Sequence, residues 1–266
     1  MTQDDPFTQF KANQRQIWSH FSPIEVFTAP CAPKLLRFAD VREGQSLLDV
    51  GTGTGVVALT AARMGAKVTG VDLTPALLER ARANAEVAEQ PNIVWQEGDA
   101  EALPFADASF DVVVSQFGHM FAPRAERATK ELLRVLRPGG TVAFSTWPPE
   151  HFVGRFFVLC AGYLPPPPEG FSPPAAWGEV KVVRERLGDA VDGLRFERST
   201  MHFNVLSVQH YGQLAEETIG PARALVQRGD AEALGRFRSE LGALVAEYFE
   251  DNQVRQDYLL SRAVKR

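Results

Sequence analysis

The sequence predicts an α/β fold built on an open, doubly wound parallel sheet. Three observations carry that expectation. Five apolar runs alternate with helix-like segments between residues 47 and 146. The first run opens LLDVGTGTGVVAL (Leu47–Leu59), which ends in an acid and then gives alternate glycines and small apolar residues. The second run, KVTGV, ends at Asp72, 21 residues after Gly51, the length of one strand–helix–strand unit.

The composition sets the frame. A chain of 266 residues holds one large α/β domain, or a domain with a cap. The net charge is −5, from 28 basic and 33 acidic residues, and no Lys/Arg run appears, so a nucleic-acid partner is not expected. Cys31 and Cys160 are the two cysteines, too few for a disulfide framework or a zinc site, and are expected to be small buried side chains. The segment MTQDDPFTQF is acidic and polar, unlike a leader, and no apolar run approaches the roughly 20 residues of a membrane span. The chain reads as cytoplasmic.

Taken in order, Phe7 to Ser22 reads as a helix with Phe7, Phe10, Gln14, Ile17 and Phe21 on one stripe, stopped by Pro23. A second helix runs from Ala32 to Ala39. Strand one is 47–50, followed by a helix over 55–64. Strand two is Lys67–Val71, and Thr74 with Pro75 starts the next helix. Strand three is Asn92–Gln96, running into GDAEALPF with a short helix at 100–103. Strand four is Phe110–Ser115, a helix spans Arg124–Leu136, and strand five is Thr141–Thr146. Alternation of this kind requires parallel strands with right-handed crossovers. The pattern then changes. A helix at Val153–Leu164 meets Pro165–Pro168, a stiff loop follows, and a helix is expected near 179–187. Leu194–Phe203 alternates as a strand, 207–250 looks mostly helical, and Tyr258–Lys265 forms a last strand.

The glycine-rich turn is the chemical signal. Gly51, Gly53 and Gly55 permit backbone conformations closed to other residues and let a ligand approach without meeting a Cβ. A dinucleotide turn needs G-x-G-x-x-G, but position 56 is Val56, and Asp49 would repel a pyrophosphate. An acid there suits a ligand with positive charge. The sequence here resembles the class I S-adenosylmethionine-dependent methyltransferases, whose first motif is an acid followed by G-x-G-x-G. The resemblance covers about residues 45–147 and is closest to the branch of quinone-biosynthesis and small-molecule methyltransferases.

That resemblance implies a Rossmann-like, seven-stranded, mostly parallel sheet with an antiparallel last strand. It implies an N-terminal helical arm (1–40), a cofactor-binding core (41–147), and a substrate-lid region (148–266) whose last two strands complete the sheet. S-adenosyl-L-methionine is the expected cofactor, with contacts from Asp49, Gly51, Thr52 and Gly53. Asp72 is expected at the ribose, Asp99 and the backbone around Ala100 at the adenine, and Leu73 and Glu101 among the cofactor-binding residues. Ser115 and Gln116 stand at the strand-four tip, and Arg15 and Trp18 on the arm. His119 is the expected general base, and no metal is expected. The implied reaction is in-line methyl transfer to a small, hydrophobic or aromatic acceptor. A nicotinamide-dependent oxidoreductase on a similar sheet, and a non-catalytic binder of the same cofactor, remain as alternatives.

Overall fold

The computed structural model describes residues 5–266. Three helices come first: α1 (Phe7–Trp18), the short α2 (Glu25–Thr28) and α3 (Ala32–Phe38). The alternating core follows as β1 (Ser46–Val50), α4 (Val56–Arg63), β2 (Lys67–Asp72), α5 (Pro75–Val87), β3 (Val94–Glu97), β4 (Phe110–Gln116), α6 (Ala125–Val135) and β5 (Leu136–Thr146). The remaining elements are α7 (Phe152–Tyr163), α8 (Val180–Leu187), β6 (Val191–Asn204), α9 (Val208–Thr218), α10 (Gly220–Arg228), α11 (Ala231–Ala246), β7 (Phe249–Glu250) and β8 (Gln253–Lys265).

The strand order is β3-β2-β1-β4-β5-β8-β6, with β7 paired to β8 off that path. Strands β1 to β5 run parallel, and β8 runs antiparallel between β5 and β6. The expected seven strands are therefore present, and the eighth is the two-residue β7. Neighbouring residues of a strand face opposite sides of the sheet, and Leu47 and Leu48 are both fully buried, so both faces of β1 are covered. The order reverses between β1 and β4, which opens a crevice at their C-terminal ends. There the two loops touch backbone to backbone. A Cβ on Gly51 would lie 2.8 Å from Gly118 Cα, so the approach requires glycine on both sides.

Several boundaries differ from expectation for local reasons. Helix α1 stops at Trp18 rather than Ser22, and a 3-10 turn at Ser22–Ile24 holds Pro23. The segment 100–103 is a turn, closed by a bridge between Asp99 and Ala102, rather than a helix. Strand β5 begins at Leu136, and the Arg137–Gly140 segment is taken up as an irregularity in its pairing with β4. Helix α11 ends at Ala246, after which Asp251 and Asn252, with φ of 48° and 61°, turn the chain tightly from β7 into β8. Strand β8 is longer than expected because its first half pairs with β6 from Asn204 inward. Among the described residues, no helix is long and apolar enough to cross a membrane.

Candidate functional site

A cavity of about 230 Å³ opens at the β1–β4 crevice. Its walls come from two sides of the sheet. The tips of β1 and β2 and the loop after β3 contribute Asp49, Gly51, Thr52, Gly53, Asp72, Leu73, Asp99 and Ala100. Past β4, the wall is built by Trp147, Val153, Phe156, Met201, Phe203, Tyr211 and Gln256, from after β5 and from α7, β6, α9 and β8. Arm residues Lys11, Gln14 and Trp18, with Phe21 beyond them, close one border, and Ile219 of the insert lies on another. The two borders meet. A Cβ on Gly220 at the start of α10 would lie 2.7 Å from Ile17 of α1.

The acidic wall is pre-set for a cation. Asp49 is buried, its Oδ2 accepts a 2.6 Å hydrogen bond from Thr52 Oγ1, and its Oδ1 has no partner. Burial pushes its carboxyl up to about 7, and the nearby Asp72 charge adds to the rise. Asp72 is also raised by burial, while the backbone N–H groups of Gly53 and Thr74 each donate to it at 2.8 Å. Those two bonds fix the plane of the carboxylate and leave it lone pairs to accept from a ligand. Gly53 has a φ of 54° and nothing within 4 Å of the place its Cβ would take, so a side chain there would project into open space in the cavity. Two buried acids without a cation between them, beside a glycine opening, fit a cationic ligand that carries hydroxyls.

Three expected contacts do not line the cavity. Arg15 is exposed on α1 and pairs with Glu97 at 2.7 Å. Glu101 lies behind Asp99, where its carboxylate accepts from Lys11 at 2.6 Å and from the Arg124 backbone and side chain. Ser115 sits beneath the loop, donating to the Val50 carbonyl at 2.6 Å and accepting from the His119 N–H at 2.9 Å. These residues hold other parts of the wall together. Gln116 does line the cavity, donates to the Thr28 carbonyl at 2.9 Å, and keeps its Oε1 unpartnered. Trp18 lines the cavity as well, tilted against Phe121 at 4.7 Å.

His119 borders the cavity in a dry, aromatic setting. It is buried between Phe144 and Trp177, with ring centroids at 4.5 and 4.6 Å, and neither ring nitrogen has a partner. Burial, with the Arg186 charge nearby, pushes its pKa down to about 3. The imidazole is therefore neutral and weakly basic, with no hydrogen-bond partner to orient it. The aromatic neighbours responsible come from β5 and the turn before α8, out of reach of local sequence reasoning.

Lys11 is the residue that sequence reasoning missed. A lysine on a helix reads as solvated, yet its Nζ donates at 2.6 Å to both Asp99 and Glu101, tying the arm to the loop after β3. Gln14 donates to the Phe121 carbonyl at 3.1 Å and adds a second tie. Phe117 was missed too. Its φ is 56°, a strained value for an aromatic residue, and its ring stacks on Trp147 at 3.8 Å in the cavity wall.

Known proteins resemble this chain in family and in fold. A family profile for a methyltransferase domain matches residues 48–144. An uncharacterised protein of Mycobacterium tuberculosis is 37% identical over 278 residues, covering 100% of both chains. The demethylmenaquinone methyltransferase of Chlorobaculum parvum is 48% identical over 110 residues, 41% of this chain and 44% of that protein. In fold, the YcgJ protein of Bacillus subtilis aligns with a TM-score of 0.60 at 20% identity, covering 88% of this chain and 97% of that one.

Proposed function

Since the chain belongs to the S-adenosylmethionine-dependent methyltransferases, we propose that its acceptor is a small, uncharged, hydrophobic or aromatic molecule held in the wall past β4. The observation that carries this reading is the division of charge in the cavity. The charged side chains on its wall, Lys11, Asp49, Asp72 and Asp99, sit at the tips of β1 and β2, after β3 and on the arm, while the rest of the wall is mainly aromatic and aliphatic. A charged acceptor placed there would be desolvated without a partner, at a cost of several kcal/mol. The nicotinamide alternative is set aside by the family match.

The residue assignments follow the site's chemistry. Asp49, through its free Oδ1, is assigned to the cofactor's ammonium group, and Asp72 to its ribose hydroxyls. Asp99 and Ala100 are assigned to the adenine side, with Gly51, Thr52 and Gly53 giving room for backbone approach. Leu73, Gln116 and Trp18 complete the enclosure. S-adenosylmethionine supplies a methyl group already activated on a cationic sulfur. What remains for the protein is to align the acceptor and exclude water; a base is needed only where the acceptor atom carries a proton of high pKa, which must then be lost as the methyl bond forms. The arm (1–40, of which residues 1–4 lie outside the described residues) is assigned, from residue 5 on, as the lid over the core (41–147) together with the insert within 148–266.

Two results bear on these assignments. His119→Phe keeps the aromatic packing and is expected to leave kcat within about threefold of wild type; a loss of about 100-fold or more would restore a base role. The second concerns pH. Because burial raises Asp49 to about 7 in the free protein, its contribution to the free protein's stability is present at low pH and is lost as pH rises through about 7. A cationic ligand needs the ionised carboxylate. Cofactor affinity, followed by calorimetry from pH 5 to 8, should fall roughly tenfold per unit below about 7. A flat profile contradicts the assignment. For the acceptor class, S-adenosylhomocysteine formation is measured with neutral phenols and hydroquinones against benzoates and alkylamines of the same size. Turnover with the neutral set is expected, and turnover confined to the charged set overturns the proposal.

A further inference from the structure

The mainly apolar wall contains one buried polar pair, contributed by two elements that meet only in the folded chain. Tyr211 on α9 and Gln256 on β8 are 1% and 4% exposed, and both line the cavity. Gln256 Nε2 donates to the Tyr211 hydroxyl at 3.4 Å, a long contact and the one side-chain hydrogen bond of either residue among the described residues. Burial pushes the Tyr211 phenol well above its usual range, so its proton stays on the oxygen. Phe152 and Phe203 pack against the Tyr211 ring at 5.3 and 5.2 Å, Met201 lies opposite Gln256 in the β6–β8 ladder, and no acceptor for that proton is found among the described residues.

The hydrogen-bond inventory of the pair then gives a specific result. With the amide donating, the phenol keeps an O–H to give and the amide oxygen keeps lone pairs to accept. If the amide turns over, the phenol donates to it, leaving amide N–H groups to give and a phenol lone pair to accept. Either way one donor and one acceptor remain side by side, and buried polar groups of this kind are costly to leave unpaired. A hydroxyl satisfies both at once; a carbonyl satisfies only the donor, and a carboxylate brings a charge with no cation to meet it.

From this we infer that Tyr211 and Gln256 form the specificity-determining polar site for the acceptor, recognising an uncharged hydroxyl group. The inference rests on the proposed division of the cavity, and it is tested by binding rather than turnover. The probes are 4-ethylphenol, ethylbenzene and 4-ethylbenzoate, titrated by calorimetry into the protein alone and into the protein with S-adenosylhomocysteine. Wild type should bind 4-ethylphenol about tenfold more tightly than ethylbenzene, and 4-ethylbenzoate more weakly than either. Tyr211→Phe and Gln256→Met, which keep the shape of the wall, should each remove most of the preference for the phenol while leaving ethylbenzene affinity within twofold. Unchanged phenol preference in both variants overturns the inference, as does a wild-type protein that binds neither 4-ethylphenol nor ethylbenzene, or binds them equally. Loss of S-adenosylhomocysteine binding would instead count against the cofactor assignment, while the phenol preference is still read on the protein alone. A thermal melt of each variant within a few degrees of wild type ties the change to the site.

Discussion

Gly53→Val is expected to give a folded protein with no measurable affinity for S-adenosylmethionine. The backbone at Gly53 has a φ of 54°, and the space its Cβ would take is empty of protein atoms. The new side chain therefore clashes with nothing in the fold and instead fills the opening beside Asp49 and Asp72, where the cofactor is assigned. The left-handed conformation costs about 1–2 kcal/mol for a residue with a Cβ, somewhat more for a branched one. That lowers the melting temperature by several degrees without unfolding a domain of this size. Calorimetry reads the binding loss, and circular dichroism reads the fold. Full-affinity binding by this variant would move the cofactor away from the β1 turn.

The second large effect is at Asp72. Asp72→Ala should weaken cofactor binding by about 1.5–3 kcal/mol, roughly 10- to 150-fold, because a charged acceptor of two hydroxyls is removed. The substitution also frees the Gly53 and Thr74 N–H groups, both of which donate to this carboxylate at 2.8 Å. Asp72→Asn separates the two causes, since it keeps the side chain's shape and can still accept from one of those groups. An intermediate loss is expected for it. If both variants bind as tightly as wild type, the ribose assignment is wrong.

The core was legible because its signals are local. Leu47, Leu48 and Val50 are buried on both faces, the glycines follow at once, and Asp49 and Asp72 fall at strand tips where a sheet of this order places ligands. What escaped depends on partners distant in sequence. Lys11 carries no signal within its own helix; its partners Asp99 and Glu101 lie 88 and 90 residues away. The sequence places His119 after strand four but not the Phe144 and Trp177 rings that strip it of water and lower its basicity. The start of β8 was hidden for a similar reason. Arg255, Gln256 and Asp257 give no apolar alternation, and Gln256 points inward toward Tyr211, 45 residues back.

The central claim is a closed chamber in which the cofactor's reactive sulfur faces an uncharged, mainly apolar wall. A crystal structure with S-adenosylhomocysteine tests it most directly. The sulfur is expected at the border between the acidic and apolar walls, roofed by α1 and the α9–α10 segment, in an enclosed space of a few hundred Å³. A sulfur exposed to bulk solvent along a broad groove would contradict the claim and point to a macromolecular acceptor.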